Sequence, residues 1–333
     1  MNIFKISDYK IINVNSKQSY EVIDYGVKMV GAPLEWNETM GEGIKVGIID
    51  TGVCLEHVDL KYRIKEVMDF TGESKFGEDL NGHGTHVAGI VGAEKNGVGV
   101  IGVAPMADLY IAKAFGKDGK CDYSNIEKSI WWMIDRKVDV INMSFSSPYT
   151  SPRYSKVIKM ANKMGIVMIC AVGNDGINTK SKHTYPSSFN ETIAVSAVDI
   201  NKNIADFSYR SDDTEIAAAG IDIYSTYLNG GYATLSGTSM ATPIITGAVA
   251  LLQSKGIMRY HRRLTPDEIR LLLNIYTEDL SGFGKDDRYG YGLFSFGRIS
   301  GNDSVFSQSE SVITNYKNLS TDMKKLISIM LSN

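Results

Sequence analysis

Three cysteines, Cys54, Cys121 and Cys170, are all that this chain of 333 residues contains. So small and odd a number builds no disulfide framework, and free thiols suit a reducing compartment. Long apolar runs are missing too, so nothing in the sequence is suited to span a bilayer. Positive charge is not in excess. The formal net charge is -3, which leaves no broad basic field for nucleic acid. The short cluster Tyr260-His261-Arg262-Arg263 reads as a solvated helix connection. The first residues, MNIFKISDYKIINVNSK, have neither the apolar core nor the small-residue cleavage site of a secretion signal. These absences give the expectation of a cytoplasmic protein with no membrane and no nucleic-acid partner. There is also no internal repeat and no low-complexity tract.

What is present is an alternation. After about residue 40, short apolar runs rich in β-branched residues alternate with helical patterns. The runs are Ile44–Asp50, Leu109–Ala114, Val138–Met143, Ile166–Val172 and Thr192–Val198. The helical candidates are His86–Ala93, Tyr123–Arg136, Tyr154–Met164 and Ser239–Ser254. Runs that are nearly all apolar suit strands buried on both faces. The expected fold class is therefore α/β, a mostly parallel twisted sheet flanked by helices on both faces. Sites in such sheets form at the carboxyl ends of strands, and Asp50 and Asn174 lie near two of them. Residues 1–20 are polar and weakly patterned. The tail 300–333 ends in Thr321–Leu331, with an apolar helical stripe of Met323, Leu326, Ile327 and Met330.

Four residues carry chemistry in distinctive settings. Ser239, in Ser236-Gly237-Thr238-Ser239-Met240-Ala241-Thr242-Pro243, stands where a helix begins, and free N–H groups there favour negative charge. His83 lies between glycines in Asn81-Gly82-His83-Gly84-Thr85-His86. Asp50 ends the run Val46-Gly47-Ile48-Ile49-Asp50-Thr51-Gly52, where a buried carboxylate needs partners. Asn174 follows a strand end in Ala171-Val172-Gly173-Asn174-Asp175-Gly176. Taken singly, each has a plainer reading. A serine before a helix is usually an N-cap, and an asparagine in a turn is ordinary. His86 reads as a satisfied core histidine, because the His-Glu-x-x-His zinc pattern is absent. A single Asp-Thr-Gly lacks the second carboxylate of an aspartic protease. Together the four supply a nucleophile, a base, an orienting acid and an oxyanion donor.

The order Asp, His, Asn, Ser, with the local motifs just quoted, resembles the subtilisin-like serine proteases, the subtilases. The resemblance runs from about Tyr25 to Gly297. It implies a serine endopeptidase acting on extended polypeptide substrates, with a homodimer as an admissible state. A dedicated processing protease and a peptide-binding pseudoprotease are the alternatives. Catalysis falls to Asp50, His83, Ser239 and Asn174. Ser144, Phe145 and Ser146 resemble the substrate-binding strand, Phe115, Gly119 and Tyr123 the opposite wall, and Ala171 and Gly173 the pocket floor. Ser146 stands where the family usually has glycine, which implies a narrower pocket entrance.

The loop Glu94–Val100 resembles the family's tight site for structural calcium. The implied ligands are Glu21, Asp59 and Asn96 with the carbonyls of Glu94, Val98 and Val100. The intracellular bacterial type offers the nearest resemblance. In that type a short inhibitory extension carries Leu-Ile-Pro-Tyr where this chain has Ile6-Ser7-Asp8-Tyr9. The expected organisation is an extension over 1–20, a catalytic domain over 21–299 and a partly helical tail over 300–333.

Overall fold

The computed structural model describes residues 3–6, 9–15, 18–176, 183–282, 284–298 and 319–331. Within them the chain first forms β1 (Ile3–Lys5) and β2 (Lys10–Asn15), then α1 (Tyr25–Met29) and α2 (Ala32–Glu35). It continues through β3 (Lys45–Asp50), β4 (Ile64–Asp69), α3 (His83–Gly92), β5 (Asp108–Lys113), β6 (Lys120–Asp122), α4 (Tyr123–Arg136), β7 (Val140–Met143) and α5 (Pro152–Lys163). There follow β8 (Val167–Ala171), β9 (Thr192–Val198), β10 (Ile216–Ala219), β11 (Ile223–Thr226), β12 (Tyr232–Ser236), α6 (Thr238–Tyr260) and α7 (Pro266–Ile275). The last elements are β13 (Thr277–Glu278), β14 (Leu293–Phe294) and α8 (Thr321–Leu331).

Nine strands form one sheet in the order β13-β14-β10-β9-β8-β7-β3-β5-β4, and all of its pairings are parallel except β13 with β14. Its central strands are mostly apolar because each has two buried faces. Along β3, Val46 and Ile48 enter the core beneath α3 and α6, while Ile49 enters the core beneath α4 and α5. Along β8, Val167 and Ile169 face the first core, and Met168 and Cys170 the second. This alternation is the period-two geometry of a strand.

Helix α6 is buried from Thr238 through Gly256. Such a helix shows no polar face, as expected for one running through the middle of a core. The expected helix Ser239–Ser254 is thus longer, reaching Tyr260. His261 closes it in the left-handed conformation, with φ 56°. The cluster 260–263 does join two helices, but its arginines are engaged. Arg262 grips Glu268 with two hydrogen bonds of 2.8 and 2.7 Å, and Arg263 pairs with Asp139. In α8, Leu326, Ile327 and Met330 are buried and Met323 is partly so, and the helix packs on α6. Arg259 donates to the carbonyls of Ile329 and Met330, satisfying the end of that helix.

The first 20 residues depart most from expectation. Weakly patterned as they are, they contain two strands. β1 pairs antiparallel with β6, and β2 with β12. Side chains from Lys10 to Val14 are exposed, so β2 forms through its partner's backbone and not through a buried face of its own.

Candidate active site

Asp50 closes β3, and His83 opens α3. Two close backbone approaches bring them together. Thr51 Oγ1 accepts the Gly84 N–H at 2.9 Å. A Cβ at Gly84 would meet the Gly52 carbonyl at 2.2 Å, so only glycine permits this contact. Helix α3 has no capping side chain of its own. Asp79 takes that role. Its Oδ1 accepts the Asn81 and Gly82 N–H groups, and its Oδ2 accepts the Thr85 N–H and hydroxyl. His83 Nδ1 then lies 2.8 Å from Asp50 Oδ1, which also accepts the Thr51 N–H at 2.8 Å.

Ser239 sits in the first turn of α6. Pro243, four residues on, has no N–H for the Ser239 carbonyl. Ser144 Oγ donates to that carbonyl instead, at 2.9 Å. Ser144 in turn accepts from Asn142 Nδ2, whose Oδ1 accepts from Thr246 Oγ1, each at 2.9 Å. The turn that carries Ser239 is thereby tied to β7 and to α6 itself. The Ser239 hydroxyl donates to the Ser144 carbonyl at 3.0 Å. His83 Nε2 has no hydrogen-bond partner among the described residues. His83 is buried, so its Nε2 is open to a partner that the described residues do not supply.

Asn174 follows β8. Its Oδ1 accepts the Thr238 N–H at 2.9 Å and the Thr238 hydroxyl at 2.7 Å. The amide oxygen is thereby committed to Thr238. A Cβ at Gly237 would press on the amide nitrogen at 3.1 Å. Asp50, His83 and Ser239 are all 0% exposed.

Part of that cover is the chain's own N-terminal segment. The Ile6 N–H donates to the Gly119 carbonyl at 3.0 Å, and Lys5 bridges antiparallel to Ser146. Phe4 is fully buried against Tyr123, Phe145 and Tyr154, with ring centroids 4.4, 5.4 and 5.3 Å away. Tyr9 lies over His83 at 5.0 Å and donates to Asn81 Oδ1 at 2.9 Å. Ser7 and Asp8, the middle of the matched motif, lie outside the described residues. Four of the expected substrate-contacting residues, Gly119, Tyr123, Phe145 and Ser146, thus meet one segment. Phe115 lies behind them, packed on Phe145 at 5.0 Å. Gly173 has a φ of 112°, and a Cβ there would meet Ser146 Oγ at 3.2 Å. Ala171 is buried at the end of β8. Tyr154, Phe4, Asp79 and Asn142 were not singled out from the sequence. Phe4, Tyr154 and Asn142 act through tertiary contacts that carry no local signature, whereas Asp79 acts on the turn that follows it.

The expected metal ligands also converge. Asp59 Oδ2 accepts from the Val100 N–H at 3.0 Å and Tyr232 at 2.9 Å, and its Oδ1 from Asn96 Nδ2 at 3.0 Å. Glu21 Oε1 accepts the Asn96 and Gly97 N–H groups, each at 2.8 Å. Among the described residues, the carbonyls of Glu94, Val98 and Val100 accept no hydrogen bond. Nor do the described residues assemble a cluster of three or more His, Cys, Asp or Glu. The loop is oxygen-rich through its backbone, which is the donor type that calcium takes. Asn96 presents its Nδ2 to Asp59 here, so it would join such a set by turning its amide over.

His86 is fully buried. Its Nε2 meets the carbonyls of Ile223 and Ala233 at 3.1 and 3.0 Å. Burial pushes its pKa down to about 3, so the ring is neutral. No helix among the described residues is long and apolar enough to cross a membrane. Cys54, Cys121 and Cys170 are all unpaired.

Comparison with known proteins agrees with this geometry. The Subtilase family profile matches residues 41–292. An intracellular serine protease of Paenibacillus polymyxa is 41% identical over 270 residues, covering 79% of this chain and 82% of its own. Subtilisin DY of Bacillus licheniformis is 38% identical over 278 residues, covering 83% and 97%. The major intracellular serine protease of Bacillus subtilis is 36% identical over 272 residues, covering 79% and 83%. An Asp–His pair at one strand end, a serine on a helix N-terminus beside it and a match across the whole sheet lead to one conclusion: the chain belongs to the subtilase family and is a serine endopeptidase.

Proposed function

We propose that Ser239 is the nucleophile of this endopeptidase, His83 its base, Asp50 the residue that orients the base, and Asn174 an oxyanion donor. The observation that carries this is the 2.8 Å contact between Asp50 and His83, with His83 Nε2 left without a partner among the described residues. Ser239 Oγ attacks the substrate carbonyl while His83 Nε2 takes its proton. Asp50 holds Nδ1–H and stabilises the imidazolium. The Asn174 amide and the Ser239 N–H receive the oxyanion. His83 then passes its proton to the leaving amine, and water releases the acyl group by the reverse route. The substrate is extended polypeptide laid between Lys120–Asp122 and Ser144–Ser146, as Ile3–Ile6 is laid here. Residues 1–20 act as an inhibitor in cis, because Phe4, Lys5 and Ile6 occupy that cleft and Tyr9 covers His83.

Calcium bound by Glu21, Asp59, Asn96 and the carbonyls of Glu94, Val98 and Val100 gives the fold a structural tie. The names of two relatives refer to intracellular proteases. With three free thiols, this supports a cytoplasmic place of action. A second reading, a dedicated processing protease, draws on Ser146, whose hydroxyl stands against Gly173 in the pocket floor. Cleavage sites mapped across one unfolded protein separate the two readings, since a processing enzyme leaves nearly all bonds intact. The triad is tested with a fluorophosphonate probe. Labelling should map to Ser239 and vanish in Ser239→Ala, with turnover down by about 10⁴ or more. Turnover in that variant within tenfold of the parent rules the assignment out.

A further inference from the structure

We infer that the edge of β12 is an extended docking site for the polypeptide on the C-terminal side of the scissile bond. The site takes about six residues of unfolded chain by strand addition, with little regard to their side chains. This rests on the reading of residues 1–20 as a segment lying in the substrate cleft.

The path of that segment carries the argument. It enters between β6 and Ser146, with Phe4 in the aromatic pocket. It passes over His83 at Tyr9 and leaves along β12. A substrate bound in the same direction places its N-terminal residues against β6. The chain beyond its scissile bond then leads toward β12. That strand is fixed relative to the nucleophile, because Ser236 is joined to Ser239 through Gly237 and Thr238 alone. β2 pairs with it over its full length, from Lys10 opposite Ser236 to Asn15 opposite Tyr232. β12 is sandwiched between β11 and β2, so when β2 leaves, one row of its backbone donors and acceptors is open.

The chemistry of the occupant follows from what β2 does and does not use. Ile11, Ile12 and Val14 stand 48, 46 and 55% exposed. They enter no pocket, so the backbone supplies the recognition. The register shifts between Thr234 and Leu235, leaving Ile12 as an extra residue in β2. An edge that accepts a bulged strand tolerates varied sequences. The ligand class is therefore a long unstructured tail and not a particular motif. This edge would favour unfolded proteins over short peptides at the same scissile bond.

The test uses full chains. In one variant, Phe4→Asp places a charge in the aromatic pocket, and Asn13→Pro with Val14→Pro removes at least one ladder donor of β2, since neighbouring N–H groups alternate in direction. Two peptides share every residue up to about two past the cut, and one continues to about eight past it. The long peptide should show kcat/KM about tenfold higher, and methylating its tail amides should return it to the short-peptide value. Equal kcat/KM for the two overturns the inference, whether or not the freed edge pairs with a second copy. Cleavage of neither peptide removes the underlying reading of the segment, and this inference with it. A second measurement needs no change in the extension. In Ser239→Ala, saturating long peptide should abolish hydrogen-exchange protection of Lys10–Asn15, and short peptide should leave it. Protection unchanged by the long peptide overturns the inference.

Discussion

At the scale of single residues, the two histidines of one motif show how environment assigns a role. His83 and His86 lie on the same buried helix. His83 has a carboxylate on Nδ1 and an open Nε2. His86 has two carbonyls on Nε2 and no partner for Nδ1 among the described residues. A second proton on His86 would sit on Nδ1 with no acceptor in an apolar interior. That is why burial lowers its pKa to about 3. The sign of the linkage follows. The unfolded ring takes its proton near pH 6.5, while the folded ring refuses it until about pH 3. Stability is therefore full above pH 6.5 and is lost as pH falls below it, by on the order of 5 kcal/mol in all. A glutamine can offer one N–H to each carbonyl without titrating. In a Ser239→Ala background, urea unfolding at about pH 7 and pH 4.5 should show His86→Gln losing less than the parent on acidification, by on the order of 2 kcal/mol. An unchanged gap between the two pH values would contradict this account of His86.

Among the elements, legibility tracked burial. Thr192–Val198 and Tyr123–Arg136 are found at the bounds expected from sequence, because one is buried on both faces and the other is amphipathic. The helix around His83 was misjudged at its start, expected at His86 and found at His83. The residue at the cap itself is Gly82, and N–H groups of the first turn go to Asp79 and Asn81, a few residues before it. The motifs that bring Asp50, His83, Asn174 and Ser239 to one place were readable, since glycines and a proline serve each turn locally. The supporting chain Ser144–Asn142–Thr246 was not, because it joins β7 to α6 across about a hundred residues.

The strands β1 and β2 were unreadable because β1 is three residues long and the exposed side chains of β2 leave no period. Their placement nevertheless sets a measurable effect. Phe4 is the segment's one fully buried aromatic anchor, and a carboxylate there has no partner in a pocket of rings. Phe4→Asp should raise the initial rate on a short peptide by about tenfold or more, with an unchanged melting temperature for the rest of the fold. Equal initial rates in progress curves of parent and variant would count against inhibition in cis.

For the whole molecule, the question is what ties the parts outside the sheet to it. The stretch that joins β2 to α1 is held at Glu21 and Val22. Val22 donates to the Gly99 carbonyl at 2.8 Å and accepts from Ile101 at 3.1 Å, and Glu21 grips the turn at Asn96 and Gly97. The same loop is braced by Asp59, which links it to Tyr232 on β12. Three parts of the chain, distant in sequence, therefore meet at Glu94–Val100. A calcium ion there would close the junction, because it binds the folded arrangement and not the unfolded chain. Its contribution is about 2.7 kcal/mol at a hundredfold excess over the dissociation constant. Excess chelator should accordingly lower the melting temperature of the Ser239→Ala protein. Asp59→Asn removes one anionic ligand while keeping the shape of the side chain. That variant should melt at a single temperature in calcium and in chelator, below the calcium-loaded parent. Coincident melting curves for the parent in the two conditions, with no calcium in the purified protein by elemental analysis, would remove the ion from this site and leave the hydrogen bonds of Asp59 and Glu21 as its whole tie.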